Sequence, residues 1–372
     1  MSTTGDDAPP ETRSWLRRHA GKVVLSLVVA GCFGWLLHKG ALPVAPSKSS
    51  FAHVRWWTLF TYLALWTAVA YVRGARWKLL LDPIAKLPLR RVVAVSFIGF
   101  AAIALLPVRT GEAVRPFMIR KKGELSGWAA TGTIAAERII DGLVLCAMLV
   151  VGLALSTPLS PLPDHIGNLP ISPAVVPKSA YIALAVFMTA FLVMGIFFVQ
   201  RVWARRMTER VIGAVSPKFA TWLADRVEHI ADGLRFLAKG DVTVKFVGAT
   251  IAYWLINAAG NWLLAWGSGF DHFTLPQSIV VTGVVALGIL VPNAPGFFGA
   301  YQFSMYAALA LFFPNDLVVG PGGAYVLLMY GSQLFVTVAT GAVGLLMEHT
   351  GVREAFESGP VSTNLPEGAA PE

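Results

Sequence analysis

The sequence contains several long apolar stretches, and one of them, residues 128–154, has three ionisable side chains near its middle. A helix of about 20 apolar residues is long enough to cross the hydrocarbon core of a bilayer. An ionisable side chain at that depth costs about 3 kcal/mol or more unless it pairs or faces water. Glu137, Arg138 and Asp141 therefore indicate either a functional site or a buried ion-pair network.

The composition is that of an integral membrane protein. Of the 372 residues, 55% are hydrophobic and 14% are charged, whereas a soluble domain has about 25% charged residues. Two apolar segments, 92–106 and 276–291, are short and end at proline breaks. The predicted full spans are 22–38, 56–72, 128–154, 179–199, 246–267 and 323–347.

Basic residues account for the net charge of +9, and they lie beside the apolar spans. Lysine and arginine are concentrated in the N-terminal tail and in residues 73–91, 109–122 and 200–245, and they are absent from 246–347. The positive-inside rule therefore places the N-terminus in the cytoplasm. Because the sequence has no motif that reads RNA or DNA, we expect no nucleic-acid partner.

Two apolar segments are predicted to enter the membrane and return to the side from which they came. Basic residues flank 92–106 on both sides, so a re-entrant hairpin would keep both flanks in the cytoplasm, although an ordinary short span is the alternative. The segment around Pro295 is predicted to enter from the outer side. The predicted fold class is therefore an all-α polytopic membrane protein, with six full spans, two proline-broken re-entrant hairpins (eight or more membrane helices) and an inverted repeat. Interrupted segments at matching positions of two halves are typical of transporter binding sites.

The rest of the chain is expected to be simpler. Residues 21–348 are predicted to form one transmembrane domain, between a disordered basic tail (1–20) and a disordered C-terminal tail (349–372). Within it, residues 201–240 are predicted to form a cytoplasmic amphipathic connection on the inner leaflet.

Six charged candidates for a binding or translocation site follow the first break or lie on the span 128–154. They are Arg109, Glu112, Arg115, Glu137, Arg138 and Asp141. The planar guanidinium of arginine matches phosphate oxygens, which favours a phosphate head group. The alternative is a structural ion-pair network that locks the hairpin against the helix. These six charges sum to zero, so they do not indicate the charge of a substrate.

The second break contributes polar but uncharged candidates. They are Asn293, Pro295, Gly296, Gly299 and Gln302. A helix that begins after either glycine would direct the positive end of its dipole toward an anion, and a simple packing kink is the alternative. Asn257, Asn261 and Gln333 are expected to hold helices together.

The sequence shows no recognisable catalytic or cofactor site. It has no nucleotide-binding glycine motif, no metal-ligand spacing and no nucleophile–base pair. Cys32 and Cys146 both lie in apolar runs, which gives no disulfide framework. We therefore expect no cofactor and no metal, and a transporter is favoured over an enzyme.

Three motifs carry a resemblance to a known family. The pattern Leu-Pro-x-Arg-x-Gly-Glu-x-x-Arg falls on 106–115, Glu-Arg-x-x-Asp on 137–141, and Pro-Gly-x-x-Gly on 295–299. With these motifs the chain resembles the membrane region of lysylphosphatidylglycerol synthases, a flippase-like family. The resemblance implies lipid translocation without the soluble aminoacyl-transfer domain. Many members of that family have glutamate where this chain has Gln302.

These observations together predict a flippase or transporter of the bacterial inner membrane that moves a polar-headed lipid. Its partner would be a membrane lipid with an anionic or isoprenoid-linked head group. One alternative is a membrane-embedded transferase that acts on a lipid-linked substrate. Another is a non-catalytic membrane partner of an envelope lipid synthase, and self-association as a homo-oligomer is also open.

Overall fold

The computed structural model describes residues 15–120, 125–199, 233–290 and 294–348. Within these residues the regular elements are helices and no β-strand is formed, so the predicted all-α class is confirmed. Most of the predicted connection 201–240 lies outside the described residues, as does the predicted tail 349–372. The predicted tail 1–20 is described only from residue 15.

The helices are introduced here in chain order. They are α1 (Trp15–Lys39), α2 (Trp57–Ala75), α3 (Trp77–Leu81), α4 (Leu89–Leu105), α5 (Val114–Met118), α6 (Gly127–Leu155), α7 (Val175–Val199), α8 (Gly240–Gly267), α9 (Leu275–Gly288), α10 (Ala300–Leu309), α11 (Asn315–Val319) and α12 (Pro321–Glu348). The 3₁₀ segments are Lys48–Phe51, Pro107–Ala113, Arg235–Ala238 and Pro295–Phe297.

Four of the described helical segments are long and apolar enough to cross a membrane by themselves. They are α6, most of α7, α8, and the segment Asn315–Glu348 that contains α11 and α12. Helices occupy all six of the predicted spans, and four of the six lie in these membrane-length segments. Helix α1 begins at Trp15, so residues 15–20 are helical and not part of the predicted tail. Hydropathy marks only the apolar part of a helix, whereas leucine and arginine also favour helical backbone.

Both predicted breaks interrupt helices. Helix α4 ends just before Pro107, which lacks a backbone N–H, and the chain continues as a 3₁₀ turn into α5, which packs against α4. Helix α9 ends at Gly288, and α10 begins at Ala300 and packs against α9. At a rise of 1.5 Å per residue, α9 and α10 are roughly 21 and 15 Å long, shorter than a hydrocarbon core of about 30 Å.

Helix pairing follows a reciprocal pattern. Helix α2 packs against α8, α4 packs against α12, and α9 packs against α6. Glycines allow the close approach, since a Cβ at Gly344 would lie 2.6 Å from the carbonyl oxygen of Ala94, and one at Gly283 would lie 2.9 Å from Leu149. These pairings remain the same if α2 is exchanged with α8, α4 with α9, and α6 with α12.

The α2–α8 pair is antiparallel. Thr58 packs beside Gly267, and Tyr62 packs beside Gly260. At the other end, Arg76, which follows α2, donates a hydrogen bond to the hydroxyl of Thr250. Residue numbers thus rise along α2 while they fall along α8, which fixes the relative depth of side chains on the two helices.

Candidate functional site

A cavity of about 220 Å³ lies between α2, α4, α6, α8, α9 and α12, beside the second break. Its aromatic lining includes Trp66, Phe100, Phe187, Trp254, Tyr301 and Tyr330. Four charged side chains also line it, namely Arg73, Arg109, Arg138 and Asp141. The cavity therefore has an aromatic wall with charges at one part of its surface.

Arg109 connects the two breaks. Its Nη1 donates a 2.7 Å hydrogen bond to the carbonyl oxygen of Ile289, at the end of α9, and its Nη2 pairs with Glu112 at 2.6 Å. Its backbone has a φ of +56°, a left-handed conformation that costs a residue other than glycine about 1–3 kcal/mol. The two contacts hold the residue in this conformation, at the point where the first break meets the second.

Part of the predicted charge set is a buried ion-pair network. Arg115 and Glu137 are fully buried and are joined by two hydrogen bonds of 2.9 and 3.2 Å. The guanidinium of Arg115 also lies 4.2 Å from the centre of the Trp77 ring. Arg76 adds a 2.7 Å bond to Asp141 and a 3.4 Å contact with Glu137. Neither Arg115 nor Glu137 lines the cavity, so these two residues fasten α5 to α6.

Two arginines of the cavity wall stand apart from this network. Arg73 and Arg138 both line the cavity, and within the described part of the chain neither has a carboxylate at ion-pair distance. The Nε atom of each is buried without a hydrogen-bond partner there. Arg73 packs over Phe100, with its guanidinium carbon 4.4 Å from the ring centre. Arg138, which the sequence placed in pairing range of Asp141, leaves that carboxylate to Arg76.

We call the eight charged residues at this place the charge cluster. They are Arg73, Arg76, Arg109, Arg115, Arg138, Glu112, Glu137 and Asp141. Five arginines and three carboxylates leave an excess of two positive charges. The six charges singled out from the sequence sum to zero, and Arg73 and Arg76, which the structure adds to them, account for the excess. These two lie at the C-terminal end of α2, where basic residues were taken only as a signal of orientation.

The second break contributes less to the cavity than the sequence predicted. Gly296, with a φ of +72°, lines it, whereas Pro295 is exposed and is not part of the lining. Asn293 lies outside the described residues.

Gly299 and Gln302 form the beginning of α10 and do not line the cavity. Gly299 has a φ of +85°, and a Cβ there would collide with Phe33 of α1. The side-chain oxygen of the buried Gln302 accepts a 2.7 Å hydrogen bond from the N–H of Gly299. A helix does begin after Gly299, one of the two positions considered from the sequence, but Gln302 caps that N–H.

Three amide side chains on α8 and α12 line the cavity as well. Asn261 donates a 2.8 Å hydrogen bond to Thr282 of α9, and Gln333 of α12 donates a 2.7 Å bond to Tyr62 of α2. These bonds connect helices, as expected. The side-chain oxygens of Asn257 and Asn261 are nevertheless buried without a partner among the described residues, so the two asparagines also present polar atoms to the cavity.

The described residues contain no group of three His, Cys, Asp or Glu side chains placed to hold a metal ion. Cys32 is exposed, Cys146 is buried, and both are free thiols. The polar chemistry that the structure describes here is that of guanidinium, carboxylate, amide, indole and hydroxyl groups.

The protein-family model described as the lysylphosphatidylglycerol synthase TM region matches residues 23–341, a range that includes both breaks and the whole charge cluster. The chain belongs to this family. The lysylphosphatidylglycerol synthase TM-region family is therefore the one that the three sequence motifs indicated. Family membership supports the assignment of a multi-pass membrane protein.

A curated relative shares part of the sequence. Glycosyltransferase AglD of Haloferax volcanii is 25% identical over 276 residues, which cover 70% of this chain and 44% of that protein. The chain thus matches less than half the length of this relative. No solved structure matches the chain.

Proposed function

We propose that this protein binds a membrane lipid by an anionic head group and moves it across the membrane. The observation that carries the proposal is the cavity wall formed by Arg73 and Arg138, which lack a carboxylate partner among the described residues. An unpaired arginine in a membrane interior is costly. A phosphate offers oxygens that match the guanidinium group and cancels its charge.

The arrangement of the helices favours transport over static binding. The reciprocal pairing of α2, α4 and α6 with α8, α12 and α9 is what an inverted repeat would produce. In transporters of that kind, substrates bind where broken helices of the two halves meet. Here Arg109 joins the two breaks beside the cavity. In this proposal the breaks are re-entrant hairpins in a bacterial inner membrane, the N-terminus is cytoplasmic, and the lipid tails stay in the bilayer.

A transport assay tests this function. The full chain is reconstituted into vesicles that contain phosphatidylglycerol with a fluorescent head-group label, and a membrane-impermeant reductant bleaches the outer leaflet. We expect bleaching to proceed beyond the outer leaflet only in vesicles with protein. Arg73→Gln and Arg138→Gln should slow this phase about tenfold or more, equivalent to about 1.4 kcal/mol. Lys245→Gln, at an exposed residue outside the cavity, is the matched control.

Two outcomes would count against the proposal in different ways. If folded Arg73→Gln and Arg138→Gln proteins transport at the wild-type rate, the assignment of the site is wrong. If no anionic lipid moves faster than in protein-free vesicles, the transport function is wrong.

A second candidate function is the transfer of a group to a lipid carrier, and the similarity to glycosyltransferase AglD favours it. In that case the cavity would hold a lipid-linked substrate, and the chain would act itself or assist a synthase. Purified protein would be incubated with a sugar nucleotide and an isoprenoid phosphate. Formation of a lipid-linked sugar would establish transferase activity, whereas co-purification with a synthase, together with tolerance of Arg138→Gln, would favour a partner role.

A further inference from the structure

The cavity contains unsatisfied polar atoms that carry no charge. The side-chain oxygens of Asn257 and Asn261, the hydroxyl of Tyr301 and the indole Nε1 of Trp254 are buried with no hydrogen-bond partner among the described residues. All four side chains line the cavity, and Asn257, Asn261 and Tyr301 are at least nine-tenths buried. Because buried polar groups in proteins are nearly always hydrogen-bonded, to protein or to ordered water, an occupant of the cavity that offers matching groups would be stabilised by these four atoms.

These atoms require an occupant that both donates and accepts hydrogen bonds. The two asparagine oxygens accept, the indole N–H donates, and the tyrosine hydroxyl does either. A hydroxyl group meets all of these needs, as would the water that it displaces. A bare phosphate diester, which only accepts, would leave the oxygens of Asn257 and Asn261 unpaired.

The amides and the unpaired arginines lie at different depths. Tyr62 of α2 packs beside Gly260, the neighbour of Asn261, and Arg73 lies eleven residues further along α2, or about 16 Å at 1.5 Å per residue. Because α8 runs antiparallel to α2, Asn257 lies about one helical turn nearer to the level of Arg73 than Asn261 does. The cavity therefore has an arginine end and an amide end, with Asn257 and Trp254 between them.

We infer that the head group of the lipid has two parts, a phosphate at the arginine end and a hydroxyl-bearing group along the amide end. This inference rests on the proposed lipid-binding function. A phosphatidylglycerol and a glycosyl phosphate of an isoprenoid share this chemistry. A cavity of about 220 Å³ is smaller than the sites of about 300–1,000 Å³ that hold drug-sized ligands, which fits a head group without its tails. An aminoacylated lipid fits poorly, because its ammonium group adds positive charge to a cluster that already has an excess of two.

A matched pair of lipids tests the hydroxyl requirement. Short-chain phosphatidylglycerol and phosphatidylmethanol carry the same phosphodiester charge, but only the former has head-group hydroxyls. Binding of each to the full chain is measured in nanodiscs of phosphatidylcholine. Phosphatidylglycerol should bind about tenfold more tightly, the effect of one or two net hydrogen bonds. Lysyl-phosphatidylglycerol should bind more weakly than either.

Variants at Asn257 and at the arginine end of the cavity should act on different parts of the head group. Asn257→Leu, which keeps the number and branching of the side-chain heavy atoms, should bring the ratio of the two dissociation constants close to one while phosphatidylmethanol still binds. Arg138→Gln should weaken both lipids by a similar factor, and Lys245→Gln should change neither. A short-chain isoprenyl phosphoglucose distinguishes the two classes of lipid. If it binds more tightly than phosphatidylglycerol, the amide end binds a sugar. If it binds more weakly, the amide end binds glycerol.

Equal binding of phosphatidylglycerol and phosphatidylmethanol to the wild type would overturn the inference, as would an unchanged ratio in Asn257→Leu. Transport without preference between these lipids would overturn the inference and leave the proposed function intact. Preferential binding without transport of any lipid would support the inference and overturn the transport function. Failure of every lipid to bind would overturn both.

Discussion

Glu137 and Arg138 are neighbours on α6, yet their replacement by glutamine should have opposite consequences. Glu137 is fully buried, accepts hydrogen bonds of 2.9 and 3.2 Å from Arg115, and lies 3.4 Å from Arg76. Removal of one partner of a buried ion pair costs about 3–5 kcal/mol. For Glu137→Gln we expect the lower end, about 3 kcal/mol, because glutamine keeps one acceptor oxygen and Arg76 keeps its 2.7 Å bond to Asp141.

Arg138→Gln breaks no ion pair among the described residues, and it lowers the charge excess of the cluster from two to one. The free energy of unfolding should therefore not fall, because the substitution removes an unpaired charge from the membrane interior and breaks no ion pair. For lipid binding, Arg138→Gln should have the larger effect and Glu137→Gln the smaller. Arg138→Gln should weaken the binding of phosphatidylglycerol about tenfold, and the folded fraction of Glu137→Gln should keep most of it.

Steric trapping in lipid bicelles gives the free energy of unfolding of the wild type and both variants under one condition. The same bicelles then serve for titration with phosphatidylglycerol. If Arg138→Gln is as destabilising as Glu137→Gln, the division of the charge cluster into a paired part and an unpaired part is refuted. The same conclusion follows if Glu137→Gln leaves the stability unchanged.

Two further changes test the breaks. Gly111→Ala should prevent the first break from packing, because a Cβ there would collide with the backbone of α4, and size-exclusion chromatography should show loss of the folded monodisperse species. Gly248→Ala in α8 is the matched control, since its Cβ meets nothing within 4 Å and alanine favours a helix by about 1 kcal/mol. Arg109→Lys keeps the charge but loses the planar fork that reaches both Glu112 and the end of α9. It should slow lipid transport about tenfold; wild-type transport would show that the connection between the breaks is not needed.

The positions of the breaks were predictable from the sequence because their causes are local. Pro107 cannot continue the hydrogen bonding of α4, and Gly299, in a left-handed conformation, precedes the first residue of α10. The all-helical class followed in the same way from the lengths of the apolar runs. These features depend on residues close together in the chain.

The partners of the charged residues were not predictable, because they come from distant segments. Arg76 and Asp141 are 65 positions apart, and a helix-spacing argument on α6 alone pairs Asp141 with Arg138. Arg73 and Arg76 also end an apolar run, where basic residues ordinarily orient a membrane protein. Hydropathy does not distinguish a basic side chain at the membrane interface from one that turns inward, so two of the five arginines were overlooked. The spacing of two arginines one helical turn apart was the signal that could have indicated a shared inward face.

In the proposed transport cycle, the excess of two positive charges would also couple the cavity to the membrane potential. Transfer of one elementary charge through 100 mV changes the free energy by about 2.3 kcal/mol, so a cluster that carried its excess fully across would contribute about 4.6 kcal/mol. An occupant with one negative charge halves this contribution, and one with two negative charges removes it. The empty and loaded forms of the protein would then respond differently to voltage, and the potential would act mainly on the step in which the cavity returns empty.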